Sequence, residues 1–341
     1  MSNTPVEALE QALRHYLLHA QERAVFHAMP RQIADALESE PRATLEALVQ
    51  AMFRGDVVLH WEIYCSKCQF WNVEPDWLQH AQHEYVCPVC GRSFDVHLDD
   101  EVQVTFSPHP QLRAPSPDAE DRAYRREMSL RFPPTTVHEL MTVQAFHDWA
   151  RNEPLPSGEH LDIRRATVWF SDLRGSTALY ARNGDPLAYN LVREHFDLVF
   201  DAVNQCQGVV VKTMGDGIMA VFISSSCAIE AALRAHRALD RFNQQRDLPP
   251  ERCLALKIGI HAGPSIMVML NDRLDYFGTT VNIASRVEHL ALGKQTLYTE
   301  PVHADPDVQA IIADSPIESF HSTLRGLDQS LTIYRLQHAS A

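Results

Sequence analysis

Two aspartates, each at the end of an apolar run, constrain this chain more than any other feature. The stretch Val168-Trp-Phe-Ser-Asp-Leu-Arg-Gly-Ser-Thr177 reads as a buried strand that delivers Asp172 to its end. It then opens onto a helix N-terminus, where free backbone N–H groups favour phosphate. Further on, Gly215-Asp-Gly217 lies between Val209-Val-Val-Lys212 and Ile218-Met-Ala-Val-Phe222, two apolar runs that read as a hairpin with Asp216 in its turn. Hairpin turns take Asp for geometric reasons alone, so Asp216 gains its weight from Asp172. Two carboxylates at two strand ends suit a pair of divalent metals.

Size and charge narrow the setting. With 341 residues, 45% of them hydrophobic, the chain can fill two domains joined by a linker. No apolar run approaches the ~20 residues that span a bilayer. The N-terminus MSNTPVEALEQAL also lacks a basic stretch followed by an apolar one, so a soluble cytoplasmic protein without a membrane partner is expected. Residues 1–160 hold 13 Lys and Arg against 24 Asp and Glu, which is −11 of the total −14 and disfavours a polyanionic partner for that half. Cys206, Cys227 and Cys253 are scattered and read as small apolar residues in a reducing compartment.

Helical spacing of Leu9, Leu13, Tyr16 and Leu17 predicts one helix from Val6 to His27, punctuated by Pro30. Residues 31–37 and 41–53 read as two more, followed by a strand over 57–64. Helix, turn, helix and strand in this order resemble a winged-helix module. Cys65-Ser-Lys-Cys68 and Cys87-Pro-Val-Cys90 come next, eighteen residues apart, with strand-like runs over 94–98 and 102–106 downstream. Each C-x2-C turn would point two sulfurs at one ion ~2.3 Å away, the pattern of a zinc ribbon with one structural Zn²⁺ per chain. Disulfides or free thiols are the alternative, which a reducing cytoplasm disfavours. Trp61, Trp71 and Trp77 surround these pairs as ribbon core more readily than as an aromatic ligand cage.

Residues 107–127 combine Pro108, Pro110, Pro115 and Pro117 with many charges and read as a linker. Residues 135–152 read as a helix able to transmit a signal. A regulatory domain over 1–106, a linker and connecting helix over 107–160, and a second domain over 161–341 are therefore expected. The helix predicted over 41–53 carries one base, Arg42, against Glu46, too little to grip phosphate. A sensory role, served by an unidentified regulatory ligand or protein, is expected there in preference to nucleic-acid binding.

After Arg164 the predicted order is strand, helix (176–206), hairpin, helix (226–246), strand (254–262), a strand pair to about 277, helix (279–291), strand, and a terminal strand pair: an α+β sandwich. Four motifs follow one another in it: Phe170-Ser-Asp-Leu-Arg-Gly-Ser-Thr177, Lys212-Thr-Met-Gly-Asp-Gly217, Lys257-Ile-Gly-Ile-His-Ala-Gly-Pro264, and Leu274-Asp-Tyr-Phe-Gly-Thr-Thr-Val-Asn-Ile-Ala-Ser-Arg286. In these, residues 163–336 resemble the catalytic domain of class III adenylate and guanylate cyclases, a ferredoxin-like α+β fold. The helical and zinc-ribbon region before it resembles the accessory segment of some bacterial soluble cyclases.

The resemblance implies a homodimer, because the family's domains pair head to tail and this chain has one copy. It implies attack of the ribose 3′-oxygen of ATP on the α-phosphorus, with two Mg²⁺ or Mn²⁺ ions per active site and pyrophosphate as leaving group. Asp172, Asp216 and the Leu173 carbonyl would hold the metals. The N–H groups of Gly175, Ser176 and Thr177 would face the phosphates, although Ser176 and Thr177 also suit a plain helix cap. Lys212 and Asp275 match the positions that read adenine, a donor to N1 and an acceptor from the 6-amino group. Guanine reverses that demand, so a guanylate cyclase conflicts with this pair. Asn282 and Arg286, four apart on one helix face, match the transition-state pair. The departure is Leu327, which stands where many relatives carry a second basic residue for the triphosphate; Arg325 or Arg174 would have to substitute. That departure supports an alternative, a non-catalytic nucleotide-binding module that passes its state to a protein or DNA.

Overall fold

The structure, a computed structural model, describes residues 5–68, 70–73, 84–116, 119–150, 160–175, 184–249, 252–270, 273–324 and 330–338. It divides into two units, Met1–Asp162 with Asn271–Arg273, and Ile163–Leu270 with Leu274–Ala341.

In the first unit, burial of Leu13 and Leu17 accounts for α1 (Pro5–His19). The helix predicted to reach His27 stops there. A short α2 (Glu22–Val25) follows, and His27 adopts a left-handed backbone with φ 50°. The cause is tertiary: Ala28 exchanges two 2.9 Å backbone hydrogen bonds with Phe106, which a continuous helix could not make. Next come α3 (Pro30–Ala36) and α4 (Pro41–Phe53), each with Pro in its first turn, where the missing N–H has no intrahelical partner to lose. The strands are β1 (Val57–Cys65), β2 (Phe70–Val73), β3 (Glu84–Val86), β4 (Ser93–Asp95) and β5 (Val102–Pro108), in a β2-β1-β5 antiparallel sheet and a separate β3-β4 ribbon.

The stretch expected to be a linker is part of this unit. Strand β5 runs to Pro108, Ala119 is buried, and α5 (Arg122–Arg131) buries Met128. Arg125 reaches Glu62 at 2.5 Å, so charge that suggested a solvated tether instead answers a buried carboxylate. The helix predicted over 135–152 is two, α6 (Val137–Met141) and α7 (Gln144–Trp149). Arg42 donates to the Thr142 hydroxyl at 2.8 Å and to its carbonyl at 2.6 Å, holding the break between them. The same arginine pairs with Glu46 at 2.9 Å.

The second unit contains β6 (His160–Leu173) from Ile163 onward, α8 (Asp185–Gln205), β7 (Val209–Met214), β8 (Gly217–Phe222), α9 (Ser225–Gln245), β9 (Leu256–Leu270), β10 (Arg273–Phe277) from Leu274 onward, and α10 (Thr279–Leu290). It continues with β11 (Gln295–Thr299), two helices absent from the sequence expectation, α11 (Glu300–His303) and α12 (Pro306–Ile312), and the terminal pair β12 (Ile317–Thr323) and β13 (Ser330–Gln337). The sheet order is β12-β13-β11-β9-β6-β8-β7, with β10 paired to β9. Strands β9-β6-β8-β7 with α8 and α9 form the split βαβ arrangement of a ferredoxin-like fold.

Both faces of this sheet are covered. Ile258, Ile260 and Tyr298 enter a core with Val199, Val203, Ile229 and Ala232 of α8 and α9. The alternate residue Leu297 joins Ile283 and Val287 of α10. Gly259 permits that approach, since a Cβ there would stand 2.1 Å from the Glu288 nitrogen.

Candidate active site

The β6–β8 ladder brings the two aspartates to one end of the sheet. Phe170 pairs with Met219 and Ser171 with Ile218, so the next step sets Asp172 across from Gly217, the neighbour of Asp216. The β7–β8 turn is Gly215-Asp216, and Gly215 has φ 65°, the positive value required at the first central residue of a type II′ turn. Gly217 is required by space: a Cβ would lie 2.4 Å from the Ser171 carbonyl oxygen. Leu173 is buried, and Gly175 turns the chain with φ 73°. Ser176 and Thr177 lie outside the described residues, as do Arg325, Leu327 and Trp77. Arg174 lies along Gly293, where a Cβ would be 2.6 Å from its Cδ.

Lys257, the first residue of the third motif, has a role that the motif does not reveal. Its ammonium lies 2.5 Å from Asp172 Oδ2 and 3.1 Å from Glu288 Oε1. Burial alone would lower its pKa, but the bonds to Asp172 and Glu288 outweigh that and raise it. Glu288 shifts upward as well, mainly because it is buried, with Lys257 opposing. The available signal was a lone charge in the apolar strand Leu256-Lys-Ile-Gly-Ile260; its partners could not be read from spacing.

Lys212 and Asp275 meet at 2.5 Å. A β-bulge between Val210 and Lys212 re-aims the lysine, since Val210 pairs with Ala220 and Lys212 already with Met219. The Asp275 side chain is 10% exposed, and its second oxygen accepts the Tyr276 N–H at 2.9 Å. The lysine is more open, at 31%, with its ammonium 5.7 Å from the Phe277 ring centroid. A charged donor and a charged acceptor thus stand side by side at a half-open edge, matched to a flat group with one acceptor and one donor.

Asn282 is exposed and Arg286 half-buried, one turn apart on α10, while Ile283 and Val287 hold its other face in the core. In the first unit, Cys65, Cys68, Cys87 and Cys90 converge, with all four sulfurs within 4.8 Å of one another. Cys65 Sγ is 3.7 Å from Cys90 Sγ, and Cys68 Sγ is 3.6 Å from Cys87 Sγ. These separations are near the ~3.8 Å edge of a tetrahedron with ~2.3 Å metal–sulfur arms, and too long for disulfides. Burial opposes ionisation of Cys65, but N–H groups of Cys68 and Lys67 and the thiols of Cys68 and Cys90 bring its pKa down to about 6.

Parts of the chain are similar to known proteins. Residues 159–311 match the family described as adenylate and guanylate cyclase catalytic domain, and residues 2–127 match a family of unknown function. An adenylate cyclase of Anabaena cylindrica is 29% identical over 190 residues, covering 51% of this chain and 37% of that protein. A putative adenylate cyclase 3 of Rhizobium meliloti is 32% identical over 133 residues, covering 39% of this chain and 22% of that protein. The chain therefore spans well under half the length of these relatives. The adenylyl cyclase CyaB of P. aeruginosa superposes with a TM-score of 0.43 at 21% identity, covering 53% of this chain and 97% of that structure. The C-terminal half of the chain thus carries an adenylate and guanylate cyclase catalytic domain of class III, over residues 159–311.

Proposed function

We propose that this chain is an adenylate cyclase, converting ATP to 3′,5′-cyclic AMP and pyrophosphate at sites built between two copies of its C-terminal unit. The observation that carries the choice of purine is the Lys212–Asp275 pair at 2.5 Å. Each holds the other in place until a base inserts; Lys212 then donates to adenine N1 and Asp275 accepts from the 6-amino group. With guanine both groups would be mispaired, at ~1–3 kcal/mol each.

Asp172 already draws a cation, Lys257, and its hard oxygen donors suit Mg²⁺ or Mn²⁺. Two such ions, held by Asp172, Asp216 and the Leu173 carbonyl, would supply Lewis acidity toward the ribose 3′-oxygen and charge for the triphosphate. Lys257 then remains as a cation beside the same anionic ligand, which offsets the missing basic residue at Leu327. Backbone N–H groups of Gly175, Ser176 and Thr177 receive phosphate oxygens. Arg286 steadies charge growing on the α-phosphate, and Asn282 orients the ribose. Their outward placement on α10, with exposed Phe277 and Met214 near Lys212, is the support for a second copy closing the pocket. The four sulfurs of the first unit fit one structural Zn²⁺, and that unit acts as the regulatory part.

The test is incubation of purified protein with ATP or GTP and Mn²⁺, reading cyclic nucleotide and pyrophosphate. Cyclic AMP from ATP is expected, with loss of product in Asp172→Ala and Asp216→Ala. Undiminished turnover in both variants would overturn the two-metal assignment. A preference for GTP would overturn the adenine reading.

A further inference from the structure

The sheet of the first unit has an unusual second face. Cross-strand pairs Val58–Ser107, His60–Thr105 and Glu62–Gln103 lie on one side of β1 and β5, opposite the apolar side that carries Trp61, Ile63 and Val104. That polar side is buried too. Glu62, with no exposed side-chain surface, accepts from Gln103 at 2.9 Å, Thr105 at 2.8 Å, His27 at 3.0 Å and Arg125 at 2.5 Å. Beside this network is a cavity of about 470 Å³, within the size range of small-molecule sites. Phe26, Val58, Pro108, Pro110, Pro115 and Ala119 supply its apolar walls, so the proline-rich stretch that reads as a tether in the sequence is one wall of a pocket.

Its polar groups are few and held. His27, His60 and Ser107 line one part of the wall. The Ser107 hydroxyl accepts the His27 N–H at 2.9 Å and bonds His60 Nε2 at 2.8 Å, and the two imidazoles stack with centroids 4.2 Å apart. The left-handed backbone of His27 is enforced by that bond and by the Ala28–Phe106 bridge, a local strain of the kind that persists where the surroundings over-determine it. With Nδ1 engaged by Glu62, Nε2 is the His27 ring nitrogen outside that bond. Burial, reinforced by His27, pushes His60 down to about 4, so its ring is uncharged at neutral pH.

The charges nearby argue against an anion. Glu120 is on the wall, and Glu22 bonds the lining residue Ser116. The adjacent cations are engaged, Arg125 by Glu62 and Arg113 by the Leu17 and Ala20 carbonyls at 3.1 and 2.8 Å.

We propose that this cavity is a binding site for a neutral, largely apolar, flat small molecule bearing one hydrogen-bonding group, seated between the proline-rich wall and the His27–His60 pair. The site lies wholly within the first unit, and its test does not depend on catalysis by the second.

The probe is N-phenyl-1-naphthylamine, which is neutral, aromatic and carries one N–H, titrated into the full chain by fluorescence. Its sulfonated counterpart 8-anilinonaphthalene-1-sulfonate has the same rings and an added negative charge. Saturable binding of one neutral probe per chain is expected, with the sulfonate at least tenfold weaker. Val58→Trp, which fills the cavity from the sheet, should weaken the neutral probe at least tenfold with unchanged circular dichroism and unfolding midpoint. Ala119→Phe does the same from the opposite wall and decides the matter should Val58→Trp misfold. Absence of saturation, equal affinity for the two probes, or parental affinity in a folded cavity-filling variant would each overturn the proposal.

Discussion

Lys257 and Asp172 form an ion pair at 2.5 Å, and the same ammonium is the partner of buried Glu288 on α10. One strand lysine therefore links the carboxylate expected to hold metal to the helix that carries Asn282 and Arg286.

Removing that lysine should make stability depend on pH in a definite direction. The Glu288 pKa is raised by burial, so the folded state holds its proton more tightly than the unfolded chain, and stability falls as pH rises from the unfolded value toward the folded one. Lys257→Met deepens this, and the loss should be larger at pH 8 than at pH 5. Denaturant unfolding at the two pH values checks it, and adding Glu288→Gln should remove most of the difference.

Lys212→Met and Asp275→Asn should each lower kcat/KM for ATP by ~10- to 100-fold, the cost of leaving a polar group of the site or the base unpaired. Because the two touch, the double variant should lose less than the product of the single losses. Purely additive losses in this cycle would mean that the pair does not act as one adenine reader.

Gly217→Ala should cost ~1–3 kcal/mol of stability, since its Cβ would press on the Ser171 carbonyl and neither backbone can yield freely. Displacing Gly217 also displaces Asp216. A thermal melt and Mn²⁺-dependent turnover should fall together, whereas an unchanged melt would contradict the contact.

Zinc content should be near one per chain, and zinc affinity should weaken as pH drops below about 6, because protons then compete for thiolates such as Cys65. Cys65→Ser should lower the zinc content and destabilise the first unit. Metal analysis across pH, with and without chelator, checks both; a stoichiometry near one that survives in Cys65→Ser would remove the four-thiolate site.

Much of the second unit was legible because its signals are local. The apolar run before Asp172 became β6, Gly215-Asp-Gly217 became a hairpin turn, and Asn282 and Arg286 fell on one helix face. The first unit is less legible, because charge and proline are marks of solvent exposure only where no buried partner meets them. Arg125 and Pro108 instead pack toward the buried polar side of the sheet, and the signal that would have placed them, Glu62, looked like an ordinary alternating strand residue. The helix expected over 135–152 failed for a related reason, a contact to Thr142 from Arg42, 100 residues earlier.

The sequence by itself determined the strand ends, the paired cysteines and the order of motifs, because repeat spacing and turn chemistry act over a few residues. Tertiary structure alone decided that Lys257 answers both Asp172 and Glu288. It also set Lys212 against Asp275, 63 residues away, and turned an apparent tether into a cavity wall. Such meetings depend on strand order, a bulge and the need of buried charge for a partner, none of which leaves a period in the chain.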